Sequence, residues 1–250
     1  MEQITSRKNQ TIALFRALAA DAAERRARGL FVCDGEKQLQ DALAAGAVLD
    51  TVLFAGEEPA VPEGTRACAV SPELLRYASP LVNTRGPVFT VRLPEERVEP
   101  FQSAVALEGV QDPGNVGTVI RTANALGVDQ ILLLGNCADP YGPKAARAAM
   151  GAVFRQRVRT LALEETPALL RDCGLPLYGA ALSRGARDIR EVDITHAIVA
   201  IGSEGRGLSE ALLELCEGRI VIPMRPGSES LNAAAAAAIV IWEMAARRPV

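Results

Sequence analysis

The sequence predicts an α/β protein: a larger parallel-sheet domain preceded by a smaller α/β module. Three observations predict it. After residue 103, short and fully apolar stretches alternate with segments of helical periodicity, the pattern of a parallel sheet covered on both faces. Before residue 94, apolar runs and helical spacing are again interleaved, over a shorter length. Between the two, Pro94-Glu95-Glu96-Arg97-Val98-Glu99-Pro100 is charged, has proline at both ends and shows no periodicity, as a linker does. We therefore expect domains at 1–94 and 103–250, with a linker at 95–102.

Taken in order, Thr11 to Arg28 has helical spacing, Leu30 to Cys33 reads as a short buried strand, and Glu36 to Ala45 as a helix. Val48 to Phe54 and Arg66 to Val70 are strand candidates. The turn residues Asn83-Thr84-Arg85-Gly86-Pro87 lead into a strand at Val88 to Val91. In the second domain, strands are expected at Ala104 to Leu107, Ile131 to Leu134, Leu177 to Leu182, Ala197 to Ile201 and Arg219 to Ile222, with a helix over Val116 to Leu126. A helix over Leu231 to Ala246 follows. Its alanine run, Ala233 to Ala238, has the highest helix propensity and allows close approach to another backbone, in the core or in a second subunit.

Composition narrows the function classes. The chain has 250 residues, 49% hydrophobic and 23% charged, which is globular rather than disordered. A net charge of −3 excludes a uniformly basic surface, so any nucleic-acid contact must come from local patches. The five cysteines are scattered, without a C-x-x-C pair or a histidine at ligand spacing, and read as cytosolic thiols with no metal site. The first ten residues lack the apolar core of a signal peptide. The low-charge tract Ala233 to Trp242 falls short of the roughly 18 apolar residues of a membrane span. The expected location is cytoplasmic.

Three segments carry the chemistry, each at a strand end, where open α/β sheets hold ligands. The first runs from Leu107 to Ala123, with glycines at 109, 114 and 117 before and within a helix that carries Asn115 in its first turn and Arg121 two turns on. Alone, Asp112-Pro113-Gly114-Asn115 is also a turn plus a helix cap. The second, Ile201-Gly202-Ser203-Glu204-Gly205-Arg206-Gly207-Leu208-Ser209, follows an apolar strand; its glycines suit an anion cradle. It matches neither a P-loop nor a dinucleotide loop, which argues against nucleoside triphosphates and nicotinamides. The third runs from Val221 to Ala234 through a proline-glycine loop, with Ser230 and Asn232 about the start of the last helix, where capping is again an alternative. His196, the single histidine, lies outside all three.

In this order the segments resemble the three motifs of the SpoU (TrmH) class of RNA ribose 2′-O-methyltransferases, in the SPOUT superfamily. The likeness rests on Asn115 and Arg121, on Gly-Ser-Glu-Gly-Arg-Gly-Leu at 202–208, and on Ile222-Pro223-Met224 with Ser230-Leu231-Asn232. Tyr141-Gly142-Pro143-Lys144 and Met150-Gly151-Ala152 add to it, and it covers Ser103 to the end of the chain. The first module is similar to the ribosomal-protein-like substrate-binding domain of many members, through Ile4-Thr5-Ser6-Arg7-Lys8-Asn9 and Asp34-Gly35-Glu36; members usually have Glu-Gly where this chain has Asp34-Gly35.

The resemblance implies a deep trefoil knot, an exception to the rule against threaded chains. It also implies S-adenosylmethionine bound at Gly202, Gly207, Ile222, Met224 and Leu231, and a catalytic set of Arg121, Asn115, Glu204, Ser230 and Asn232 in which Glu204 orients Arg121. A guanidinium holds its proton to a pKa above about 12, so Arg121 suits stabilising a developing alkoxide or gripping a phosphate better than acting as a base. Phosphate contacts are expected from Arg7, Lys8, Arg85, Lys144 and Arg147, with the Arg25, Arg26, Arg28 and Arg155, Arg157, Arg159 groups as further candidates. The substrate expected is RNA, ribosomal rather than transfer, and the assembly a homodimer. A non-catalytic RNA-binding module on the same scaffold is the alternative.

Overall fold

The computed structural model describes residues 2–95, 99–183, 185–225, 227 and 230–246. Residues 96–98 of the expected linker and 226, 228 and 229 of the proline-glycine loop lie outside them. The chain forms two compact units, Met1–Glu95 with Tyr141–Phe154, and Glu96–Pro140 with Arg155–Val250.

The first unit contains β1 (Glu2–Ile4), α1 (Gln10–Ala20), α2 (Ala22–Arg28), β2 (Leu30–Asp34), α3 (Glu36–Ala44), β3 (Leu49–Phe54), β4 (Arg66–Val70), α4 (Pro72–Ala78) and β5 (Val88–Arg92). Its sheet runs β1-β4-β3-β5-β2, with β1, β4 and β3 parallel and β5 antiparallel to both its neighbours. Ile12, Phe15 and Leu18 of α1 pack into one core with Val32, Leu53, Leu74 and Leu75. The single helix expected over Thr11 to Arg28 is broken at Asp21. Its backbone is extended (φ −126°, ψ 123°) and its carboxylate accepts from the Ala23 N–H at 2.7 Å, so a short acid caps a new helix instead of continuing the old one.

The rest of the chain adds β6 (Ala104–Glu108), α5 (Pro113–Leu126), β7 (Gln130–Leu134), α6 (Pro143–Ala149), β8 (Arg157–Leu161), α7 (Thr166–Cys173), β9 (Leu177–Ala180), β10 (Arg187–Asp188), β11 (Ile198–Gly202), α8 (Glu210–Glu214), β12 (Gly218–Val221) and α9 (Ala233–Ala246). Of these, α6 belongs to the first unit although the sequence reading counted it in the second domain. Its alanines 145, 146 and 149 are buried, α6 packs on β2, and the Phe31 ring lies 5.2 Å from Tyr141 and 6.0 Å from Phe154.

The second unit is a seven-stranded sheet, β10-β12-β9-β11-β6-β7-β8, parallel throughout. Every residue of β7 is buried, and Ala104, Ala106, Leu132, Leu134, Ile198 and Ala200 share a cluster with Leu169 of α7 and Leu212 of α8. Burying each such Leu or Ile contributes about 2 kcal/mol. Helix α9 packs on α5 and on β11. From β6 the chain turns one way to β7 and β8, while β11, β9 and β12 lie on the other side. That reversal between β6 and β11 is where an open parallel sheet leaves a crevice at its carboxyl ends.

Candidate active site

The last residues of β6 and β11, Glu108 and Gly202, are paired neighbours, so the segments that follow these strands emerge together. After β6, Asp112 caps α5 by accepting from the Asn115 N–H at 3.0 Å, with Pro113 in the first turn. Of the three glycines, only Gly109 has a left-handed backbone (φ +64°); 114 and 117 lie within the helix. After β11 the chain folds back sharply, with the Gly207 N–H on the Ser203 carbonyl at 2.8 Å. A Cβ on Gly202 would lie 2.0 Å from the Gly207 carbonyl carbon, so this close crossing requires glycine. Glu108 fixes the far end of the turn, accepting from the Ser209 N–H at 2.8 Å and hydroxyl at 2.6 Å.

The turn carries Glu204 to the start of α9, where three donors meet its Oε1: Asn115 Nδ2 at 3.0 Å, Asn232 Nδ2 at 2.5 Å and the Ala233 N–H at 3.2 Å. Asn232 Nδ2 also reaches Asn115 Oδ1 at 3.2 Å, while its own Oδ1 accepts from the N–H groups of Ala234 and Ala235 at 3.0 and 3.2 Å. Asn232 is thus both helix cap and site residue. The first turns of α5 and α9 converge on one carboxylate, a favourable place for negative charge. Glu204 Oε2 has no partner among the described residues.

A cavity of about 420 Å³ opens beside this cluster. Gly202, Gly207, Ile222, Met224 and Leu231 all line it, as do Ser230 and Glu204. Arg121 is exposed, as are Thr118 and Ala125 of the same helix. It has no hydrogen-bond or ion-pair partner among the described residues, and the expectation that Glu204 orients it is not met, because Oε1 of Glu204 is engaged by the two asparagines and the α9 backbone.

The described SpoU rRNA Methylase family model matches residues 102–242. The 23S rRNA (guanosine(2553)-2'-O)-methyltransferase RlmP of Bacillus subtilis is 30% identical over 249 residues, 98% of this chain and 99% of that protein. The chain belongs to the SpoU family. A 23S rRNA (uridine(2479)-2'-O)-methyltransferase of Streptomyces viridochromogenes is also 30% identical, over 98% of this chain and 92% of the relative. Among solved structures, the SpoU methyltransferase AviRb of Streptomyces viridochromogenes in complex with AdoMet superposes with a TM-score of 0.85 at 26% identity, over 96% of this chain and 98% of that one. An AdoMet-bound rRNA methyltransferase from Sinorhizobium meliloti does so with 0.85 at 27%, over 97% of each. The seven-stranded parallel unit is accordingly the knotted SpoU domain.

The cavity suits S-adenosylmethionine in this SpoU chain on its own evidence. Its volume is that of small-molecule sites, and it offers apolar side chains for an adenine beside the backbone of a glycine turn. Its wall also holds the Ser183 hydroxyl, which is buried and has no hydrogen-bond partner among the described residues, a group that a polar ligand would satisfy. Sequence reading missed Ser183 because it follows β9, outside the three motifs.

The basic candidates divide. Arg7, Lys8, Arg85, Lys144 and Arg147 are exposed, and all belong to the first unit. Arg7 and Arg16 stack on Tyr77, their guanidinium carbons 4.7 and 4.5 Å from the ring centre. Arg25 is withdrawn from the surface: it is buried and donates to the Leu18 carbonyl, using its charge to close the α1–α2 break. Arg28 pairs with Glu24, and Arg157 with Glu99 and the carbonyls of Pro100 and Asp129. His196 is exposed and precedes β11, whereas Glu204 follows it.

Proposed function

We propose that this chain transfers the methyl group of S-adenosylmethionine to a ribose 2′-hydroxyl of ribosomal RNA. The observation that carries the reading is the convergence of Asn115, Glu204 and Asn232, from three distant segments, on the rim of the cofactor cavity. A non-catalytic module has no need of that convergence, and the two relatives are named as 23S rRNA methyltransferases.

When bound, S-adenosylmethionine supplies an electrophilic methyl group. Gly202, Gly207, Ile222, Met224 and Leu231 hold it, with Ser230 at the mouth. The asparagines fix one oxygen of Glu204 and leave the other open, so that Oε2 accepts the proton the 2′-hydroxyl loses. The Arg121 guanidinium serves as a positive charge for the alkoxide that develops or for a neighbouring phosphate. Residues 1–94 serve as the RNA substrate-binding domain, joined by the linker at 95–102, with Arg7, Lys8, Arg85, Lys144 and Arg147 as phosphate contacts that position without reading sequence.

The assembly is a homodimer. Ala235, Ile239 and Trp242 form a stripe along the exposed face of α9, with Trp242 61% exposed, and a second copy of the chain covers it. A cytosolic location goes with an rRNA substrate and with five cysteines that form no disulfide.

The test is transfer of labelled methyl from S-adenosylmethionine into undermodified total RNA, followed by digestion and nucleoside analysis. A 2′-O-methylated nucleoside is expected, reduced at least about a hundredfold by Arg121→Ala while cofactor binding persists. Wild-type turnover in Arg121→Ala would remove Arg121 from the site; a wild-type chain that binds no S-adenosylmethionine would remove the function.

A further inference from the structure

A second cavity of about 450 Å³ adjoins the first, and Ser203, Glu204, Arg206 and Ala233 line both. Apart from Gly205 of the same turn, the rest of its lining comes from the segments that follow β6 and β7, which bring in Gln111 and Asn136. These two segments are laced into one platform. The Gly109 N–H donates to the Leu134 carbonyl at 3.2 Å, the Ala138 N–H to the Val110 carbonyl at 2.9 Å, and Cys137 Sγ to the Leu107 carbonyl at 3.1 Å. Gly109 and Gly135, both left-handed (φ +64° and +65°), turn the chain out of its strands there. The side-chain amides of Gln111 and Asn136 are exposed, and neither has a hydrogen-bond partner among the described residues.

We propose that this second cavity receives the nucleoside whose ribose is methylated, and that the Gln111 and Asn136 amides select its base. The inference rests on the methyltransferase reading. A primary amide offers a donor and an acceptor side by side, the pattern that matches the edge of a nucleobase. The lining mixes the carboxylates of Asp112 and Glu204 with the Arg206 guanidinium, which suits a neutral base better than a phosphate. Glu204, in the shared wall, holds the ribose beside the cofactor cavity while the base extends to the platform. A base read at its edge in this way must leave its stack, as bases do in single-stranded RNA recognition.

The experiment first maps the nucleotide that the wild-type chain methylates, then measures kcat/KM on four transcripts of that region differing only in the target base. Gln111→Ala and Asn136→Ala are compared with the isosteric Gln111→Glu and Asn136→Asp, and S-adenosylmethionine binding is measured by calorimetry for each. Wild type is expected to favour its natural base about tenfold or more. The variants lose that preference through a fall on the natural base, with cofactor Kd within about twofold of wild type. Equal wild-type rates on all four transcripts, an unchanged preference in the variants, or an equal fall on every transcript would each overturn the proposal. Absence of methylation by wild type on any RNA would instead overturn the functional reading beneath it.

Discussion

The two ends of the Asn232 amide serve different masters: Oδ1 caps α9, and Nδ2 holds Glu204 and Asn115. Sequence reading offered capping and catalysis as rivals there, and local pattern has no means of showing that one side chain does both. Ser183 lies beyond sequence altogether, since only the fold brings it to the cofactor wall as a buried hydroxyl, unpaired among the described residues. Ser183→Ala is expected to leave the unliganded melting temperature equal or higher, because an unsatisfied group is lost. Its S-adenosylmethionine Kd should rise about five- to tenfold by calorimetry; an unchanged Kd would show that the hydroxyl does not meet the ligand. Asp34, in the first unit, accepts from the hydroxyls of Ser79 and of Thr84, the latter at 2.8 Å. Burial nevertheless raises its pKa, against the pull of those hydroxyls and of the Arg147 charge. A raised carboxyl binds its proton more tightly folded than unfolded. Its contribution to stability is therefore present below the ordinary carboxylate range and lost as pH rises through the folded value. Urea unfolding of Asp34→Asn between pH 4 and 7 should show the variant gaining on wild type as pH rises; a constant difference would contradict it.

At the scale of elements, the decisive one is the turn from Gly202 to Gly207. Gly202→Ala would drive a methyl group against the Gly207 backbone, which cannot swing aside as a side chain can. A loss on the order of 2–3 kcal/mol in unfolding free energy, with loss of cofactor binding, is expected. Gly205→Ala is the control: a Cβ there meets nothing within 4 Å, and both measurements should stay at wild type. The central strands and α5 and α9 were legible because long apolar runs and glycine-punctuated starts mark them. Helix α8 was hidden because its five residues begin inside a motif at the Ser209 cap, and β10 because it has only two. Strand β8, Arg-Val-Arg-Thr-Leu on the sheet edge, has partly buried charges and reads as a basic cluster rather than a strand. The start of α4 did carry a signal, Ser71 capping Leu74 at 3.2 Å ahead of Pro72, which the apolar pattern alone passed over.

For the molecule as a whole, the outward stripe of α9 is the feature that a single chain leaves unexplained. Trp242→Glu places a charge at one end of it, ten residues along the chain from Asn232. Sedimentation should show a dimer for wild type and a monomer for the variant, with the melting temperature of the monomer nearly unchanged at high dilution. A wild-type monomer at micromolar concentration would exclude the assembly. A change of composition near Pro94 is the boundary signal the sequence carries, whereas the assignment of Tyr141–Phe154 to the first unit leaves no mark in it, because burial of the small α6 alanines on β2 gives no periodicity distinct from an ordinary helix.

The cavities are lined from Gly109 to Ala236, and α9 is the last of their walls to be made. On the translating ribosome this ordering leaves the site unfinished through nearly all of the chain's synthesis. Until α9 has emerged and docked, Glu204 lacks two of its three anchors, Asn232 and the Ala233 N–H.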